Sequence, residues 1–301
     1  AAHLCHHFVL GNITNFDDVY AFGKQVDVLT IEIESVNVEA LEKLESEGLS
    51  IYPRPSALRI IRDKIEQKNF YQSNSIPTSA FMITENLDAL KELSHFLPAV
   101  HKLAKGGYDG KGVQMIRSKD DFHKGFDAPA VLEKKVFIQK EIALIIAIAE
   151  NGERAIYPPV DMVFDQHLNL LSHQLCPAEL PEKIFWKAEA IALKVVKELK
   201  SPGIFAIELF ADIDGNVLVN EIAPRVHNSG HHTIEASFSS QFDMLWRIMM
   251  HYPLGNTDRI QSSALVNIIG EDGHSGEAVY QGLNEVLAMD NVFVHIYGKK
   301  Q

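Results

Sequence analysis

Apolar residues along the chain follow three rhythms, and each predicts a different kind of element. Near the N-terminus, 26–33 is an almost unbroken apolar run of the type buried on both faces of a parallel sheet. Helical spacing predicts helices over 17–24 and over a segment that Asn37 caps, running through Leu44 to stop at Gly48. Short strands are expected at 8–10 and 50–52. This is half of a doubly wound unit, lacking the Gly-rich first turn that holds phosphate in complete ones.

From 55 to 75 the pattern predicts a helical connector with Ser56 as N-cap and a break near Asp63. A new lobe starts at Ile76-Pro77, with strands expected over 99–103, 113–116, 131–136 and 138–149 and a meander over 157–163 and 167–173. Residues 182–199, after Pro181, place Ile184, Ala188, Ile191, Ala192, Val195 and Leu199 on one stripe, which marks a core helix. Two alternating runs, GIFAIELFA and NVLVNEI, then flank Asp214-Gly215 and predict a hairpin with a two-residue type I′ turn. Helices are expected over 233–251, with Trp246 and the methionines as packing. Strands at 264–269 and 292–297, with a helix at 277–287 between them, complete the chain. The fold class is α/β with α+β lobes.

That hairpin carries the first chemistry. If Ile213 and Asn216 flank the turn, Glu208 falls directly opposite Glu221, and like charges there repel unless a cation lies between them. Oxygen-only ligands suit Mg²⁺ or Mn²⁺, which bridge carboxylates to substrate phosphates. The plainer alternative is one solvated glutamate on each of two exposed faces. After Ile222 the chain leaves the strand at Ala223-Pro224 and presents Arg225, His227, Asn228, Ser229, His231 and His232 within eight residues. Asn220 precedes the second glutamate, and strand alternation sends the two to opposite faces, so a shared site requires a local bend.

Composition narrows the partners. A formal charge of −12 and a pI near 5.6 argue against nucleic acid. The longest apolar run, 142–149, is too short for a membrane span, and two cysteines, Cys5 and Cys176, give no disulfide framework, which suits a reducing cytoplasm. Four glycines within 106–112, between two strands and just after Lys102, make a loop whose N–H groups can approach phosphates, though it is no Walker A motif. Glu32 and Glu34 end a buried strand, where ligands of open α/β sheets sit. The run His3, Cys5, His6, His7 has a metal-like composition only.

The stretch NEIAPRVHNSGHHTIEASFSSQF, with GGYDGKG upstream, resembles the signature of the N5-carboxyaminoimidazole ribonucleotide synthase family, within the ATP-grasp superfamily, and the likeness extends over nearly the whole chain. It implies an ATP-grasp architecture: a partial pre-ATP-grasp domain over 1–54, an ATP-grasp domain over 55–262 with its lid at about 76–135, and a small C-terminal lobe over 263–301, with both native ends expected to be missing. By resemblance, ATP would be held by Lys64, Lys102, the lid residues Gly107, Tyr108, Asp109, Gly110, Lys111 and Gly112, the hinge Glu133, Lys134, Lys135 and Val136, then Glu141, Phe164 and Asn220. Glu208 and Glu221 would hold Mg²⁺. Arg225, His227 and Lys299 would be catalytic, and Glu32, Glu34, Asn228, Ser229 and His231 would bind substrate. The implied reaction is carboxylation of 5-aminoimidazole ribonucleotide with ATP and bicarbonate through carboxyphosphate, by a cytoplasmic homodimer. The chain departs from related patterns at Leu103-Ala104-Lys105 after Lys102 and at Ala223 two residues after Glu221, and the basic segment expected after Lys299 is absent. Rival readings are another ATP-grasp carboxylase or ligase, such as a biotin carboxylase or a glycinamide ribonucleotide synthetase, a nucleotide-binding fragment without turnover, and a histidine metal site.

Overall fold

The computed structural model describes residues 5–107, 112–164, 171–268 and 276–297. Its N-terminal elements are α1 (Phe16–Gly23), β1 (Val28–Thr30), α2 (Val38–Ser46) and β2 (Ser50–Tyr52). The two strands pair in parallel, and Leu29, Val38, Leu41, Leu44 and Ile51 form their core with the helices. Asn37 caps α2 by accepting from the Ala40 N–H at 2.8 Å. The run 26–33 contracts to three strand residues because β2, its partner, offers only three. Residues 8–10 are not a strand: no described strand pairs with them, and Phe8, Val9 and Leu10 are exposed.

Two short helices follow, α3 (Pro55–Ile61) and α4 (Lys64–Ser73). Proline, not Ser56, opens α3, since a missing N–H costs nothing in a first turn. The expected break falls at Asp63, whose carboxylate accepts from the Ile65 N–H at 2.9 Å and caps α4. Next come β3 (Phe81–Thr84), α5 (Leu87–Glu92), β4 (Ala99–Leu103), β5 (Val113–Ile116) and β6 (Ala130–Lys134). The strands form an antiparallel sheet in the order β3-β6-β4-β5.

The larger sheet is built from β7 (Ile138–Ile148), β8 (Arg154–Ile156), β9 (Val160–Phe164) and β10 (Leu171–Cys176), then, after α6 (Glu182–Leu199), from β11 (Gly203–Asp212) and β12 (Val217–Ala223). The strand order runs β12-β11-β7-β9-β10, all antiparallel, with β8 also on β7. One face packs on α6 through Ile142, Leu144, Ile146, Phe205, Ile207 and Leu209, against Ala188, Ala192, Val195 and Val196. Each such side chain contributes on the order of 1.5–3 kcal/mol when fully buried, so this face anchors the sheet. On the other face Ile145, Ala147, Ile204 and Ala206 pack against Met244 and Ile248 of α8 (Gln241–Met249), which follows the single turn α7 (Thr233–Ala236). That cover stops before the strand ends and leaves room for polar residues. The helices expected over 233–251 are these two, separated at 237–240, and Trp246 is 62% exposed rather than packed.

Strand β13 (Ser263–Val266) follows, and α9 (Leu283–Leu287) is shorter than the helix expected over 277–287. Residues 266–301 are a separate compact unit from 1–265. The described residues of the smaller unit are all exposed or half-buried, and 292–297 forms no strand. With no buried apolar face among the described residues of this unit to fix a register, the apolar run at 292–297 has no partner to specify. No described helix is long and apolar enough to cross a membrane.

Candidate active site

Strand parity decides which carboxylates meet. On β11, Phe205, Ile207 and Leu209 face α6, so Glu208 shares the opposite face with Ile204 and Ala206. On β7, Ile142, Leu144 and Ile146 face α6, which puts Glu141 on the same side as Glu208. On β12 the parity breaks: Val217, Val219 and Ile222 all enter the α6 core, and the register slips between Leu209–Val219 and Glu208–Glu221. Asn220 is the extra residue of a β-bulge, so it and Glu221 both serve the cleft side. This is the bend that a shared site requires.

The hairpin turn is not type I′. Gly215 donates its N–H to Asp212 O at 3.1 Å and lies at φ +75°, whereas no non-glycine residue of the turn has positive φ. The loop is three residues, closed by the Asp212 carboxylate accepting from the N–H groups of Asp214 and Asn216 at 2.9 and 2.8 Å. Glu208 still pairs with Glu221 because the bulge returns the residue that the longer loop removes.

Around this pair the lysines converge. Lys64, first residue of α4, donates to Glu221 at 2.7 Å. Lys102 on β4 donates to Asn220 Oδ1 at 3.1 Å, and Asn220 Nδ2 donates to Glu208 at 3.3 Å. Lys102 also pairs with Glu133 at 3.1 Å. Glu208 is held up at about 7 by burial and by the charges of Glu221 and Glu141. Burial opposes ionisation of Glu221 too, but Lys64 outweighs it and holds this carboxyl below its ordinary range. Glu141 rises to about 7 through burial, with Lys102 opposing. Two carboxyls kept near neutrality-pKa beside a third mark a place short of positive charge. The oxygens of the Glu208 and Glu221 pair, with the Asn220 amide, suit a hard divalent cation. Among the described residues no three His, Cys, Asp or Glu side chains gather in metal-ligand geometry, so the histidine metal site has no support there.

The loop after β12 closes one end of the cleft. Arg225 Nε donates to Glu34 at 2.8 Å, joining two residues far apart in sequence, whereas Glu32 is exposed beside them. His227 accepts from the Ser229 N–H at 3.3 Å through Nδ1, and its Nε2 faces Glu208 at 3.8 Å. Burial, then Arg225, lowers His227 to about 4, so its imidazole is neutral near pH 7. The loop hangs on Gln241, which is fully buried: its Oε1 accepts from the His227 N–H at 2.9 Å, and its Nε2 donates to His227 O at 2.8 Å and contacts His231 Nδ1 at 2.9 Å. His231 stacks on Phe242, and the carbonyls of Asn228 and Ser229 accept from Gln174 at 3.4 and 3.2 Å.

The remaining expectations divide. Gly107 and Gly112 form the neck of the glycine loop, where Leu103 donates to Gly112 O at 2.9 Å; a Cβ on Gly112, at φ +85°, would approach Gly107 Cα to 2.9 Å. Tyr108, Asp109, Gly110, Lys111 and Lys299 lie outside the described residues, as does His3. Of the hinge, Lys134 turns its ammonium to the carbonyls of Phe96 and Leu97, 3.1 and 3.0 Å away, and Lys135 covers the Phe137 ring, so neither side chain joins the lysine cluster. Val136 is half-buried between β6 and β7, and Phe164 packs with Met162 and Cys176. Missed by the sequence reading were Lys68, Ser79, Gln174 and Gln241. Lys68 recurs four residues after Lys64, one helical turn on, and that spacing was the one signal available.

Comparisons with known proteins identify the family and the fold. Residues 69–242 match the ATP-grasp domain, 1–62 the ribonucleotide synthetase preATP-grasp domain and 263–301 the phosphoribosylaminoimidazole carboxylase C-terminal domain. The chain is 35% identical to the chloroplastic phosphoribosylaminoimidazole carboxylase of Vigna aconitifolia, using all of this chain and 55% of that protein. It is 33% identical to the N5-carboxyaminoimidazole ribonucleotide synthase of Mycobacterium leprae, over 99% of this chain and 72% of that one. It therefore spans little more than half of the plant relative. The N5-carboxyaminoimidazole ribonucleotide synthetase of Thermotoga maritima superposes with a TM-score of 0.85 at 37% identity, covering 96% of this chain and 77% of its own. The Aspergillus clavatus synthase, solved with ADP and 5-aminoimidazole ribonucleotide, gives 0.88 at 28% identity, covering 100% and 80%.

Proposed function

The chain belongs to the N5-carboxyaminoimidazole ribonucleotide synthase family of ATP-grasp proteins, and on that premise we propose that it carboxylates 5-aminoimidazole ribonucleotide at the expense of ATP, with bicarbonate as the carbon source. The observation that carries the reading is the convergence of Lys64, Lys102, Asn220, Glu208 and Glu221 from four elements onto one cleft. Lysines there suit a polyphosphate, and the paired glutamates suit the cation that accompanies it. Mg²⁺, when bound, would neutralise charge on the γ-phosphoryl group.

This chain's own residues would do the rest. Lys64 and Lys102 would hold the phosphates in line and offset the charge that spreads over them during transfer. Gly107 and Gly112 would let the lid backbone approach those phosphates, with Tyr108, Asp109, Gly110 and Lys111 between them. Backbone groups of 133–136 would receive adenine, and Glu141 the ribose hydroxyls, with Phe164 near the base. Bicarbonate attacks the γ-phosphorus, ADP leaves, and the carboxyphosphate so formed breaks down to phosphate and CO₂, which the ribonucleotide amine captures. Arg225, oriented by Glu34, would hold bicarbonate. His227, neutral near pH 7, would take the proton that the amine releases. Glu32, Asn228, Ser229, His231 and Lys299 would line the ribonucleotide site. A homodimer would cover exposed apolar side chains such as Phe238 and Trp246.

Steady-state ADP release from Mg²⁺-ATP and bicarbonate, with and without 5-aminoimidazole ribonucleotide, tests this. The expected result is stimulation by the ribonucleotide and its loss, by about 10²-fold or more, in Glu221→Gln. ADP release indifferent to the ribonucleotide overturns the assignment of substrate.

A further inference from the structure

Behind the cleft, one carboxylate is shared by two lysines. Glu133 Oε1 pairs with Lys102 at 3.1 Å, while Oε2 pairs with Lys68 at 3.0 Å and accepts from Ser79 Oγ at 2.6 Å. Lys68 is 1% exposed. Its ammonium also donates to Thr78 Oγ1 at 2.7 Å and to Ser79 Oγ at 3.2 Å, and Thr78 in turn donates to Val219 O at 2.9 Å, one residue before the Asn220 bulge. Lys68 thus sits where the root of the small sheet meets β12, with the rings of Tyr71 and Phe81 beside it. Its hydrogen bonds and ion pair go to Thr78, Ser79 and Glu133 and not to Glu208, Asn220 or Glu221.

An ammonium buried this completely is expensive, and an apolar side chain of equal length would fill the space more cheaply. The arrangement gains something else: charge balance. A carboxylate paired with Lys102 alone would orient that lysine and cancel its charge together, leaving a neutral couple facing the nucleotide. Two ammoniums on one carboxylate leave the group net positive, and the surplus lies at the cleft end, where Lys102 meets Asn220. Burial would raise the Glu133 carboxyl, but Lys102, Lys68 and Ser79 together hold it at about 2, so it stays ionised.

We propose that Lys68 is a positioning residue that supplies the counter-charge to Glu133, so that Glu133 can fix Lys102 without neutralising it toward the phosphates of the nucleotide. The inference rests on the nucleotide reading given above for Lys102.

Calorimetric titration of ADP, with and without Mg²⁺, into the full chain and two variants tests it, with circular dichroism to establish that each variant is folded. Lys68→Met is expected to bind ADP about tenfold more weakly, the order expected from losing one charge several ångströms from the phosphates. Adding Glu133→Gln removes the carboxylate that Lys68 balances, so the double variant is expected to bind more tightly than Lys68→Met. Binding by Lys68→Met equal to wild type overturns the proposal, as does a double variant no better than the single one, the result of a purely structural role. If Lys68→Met does not fold, Lys68→Gln, which keeps a donor toward Thr78 and Ser79 without the charge, decides on the same terms: a loss of about tenfold supports the proposal and wild-type affinity overturns it. A wild-type chain that binds no ADP overturns the nucleotide reading and this inference with it, whereas wild-type binding unaffected by Lys68→Met overturns the inference alone.

Discussion

Glu133 and Glu208 are the same residue type, both set on central strands of a sheet, and they stand in opposite electrostatic states. On the small sheet, Glu133 meets two lysines and a hydroxyl and is held at about 2. On the large sheet, Glu208 meets Glu221 and Glu141 across neighbouring strands and, with burial adding to their effect, sits at about 7. Desolvation pushes both upward, so the difference lies in the neighbours. One region is electrostatically complete with the chain's own side chains. The other is left short of positive charge, the state expected of a site that receives a cation from outside. The two carboxylates are distinguished by the positive charge that the fold supplies to one and withholds from the other.

Substitutions at each pole should therefore act in opposite directions. Glu133→Ala strands Lys68 as an unpaired buried charge, and the expected loss is about 3 kcal/mol, measured as a lowered midpoint in urea. Next in size is Gln241→Ala, which releases the backbone of His227 and the ring of His231 from a buried amide. An expected loss of about 2 kcal/mol in the same assay should accompany a rise in KM for the ribonucleotide larger than any change in KM for ATP. Glu208→Gln has the reverse sign. Because the Glu208 pKa is raised, the folded chain keeps a proton that the unfolded chain releases between about pH 4.5 and 7, so stability falls as pH rises through that window. Without divalent cations, Glu208→Gln should be more stable than wild type at pH 8, by at most about 3 kcal/mol, and equal to it near pH 4.5, while stabilisation by Mg²⁺ should disappear. Equal stability of the two chains at pH 8 would remove the contrast with Glu133.

Much of the architecture is written locally. Asn37 caps the helix expected of it, the helical connector breaks at Asp63 as expected, the stripe from Ala188 to Leu199 is the α6 core, and the runs in β7 and β11 are buried as apolar runs should be. Such signals depend on a few neighbouring residues, which is why they survive in a linear reading. Elements that needed a distant partner fared worse. Residues 8–10 and 292–297 are as apolar as strands yet pair with no described strand, because an apolar run specifies burial and not a neighbour.

The sequence by itself determined which residues could do chemistry: the opposed Glu208 and Glu221, Lys102 before a glycine loop, and the polar run from Arg225 to His231. Only the tertiary structure decided how they combine. A bulge at Asn220, invisible in a regular alternation, turns that amide toward Glu208 and restores the pairing that a three-residue turn would have shifted. Glu34 reaches Arg225 across 191 positions, and Lys68 shares Glu133 with Lys102 although nothing in its helix sets it apart from a surface lysine. Charge state follows from through-space neighbours at a few ångströms in a poorly solvated interior, and those neighbours are fixed by packing.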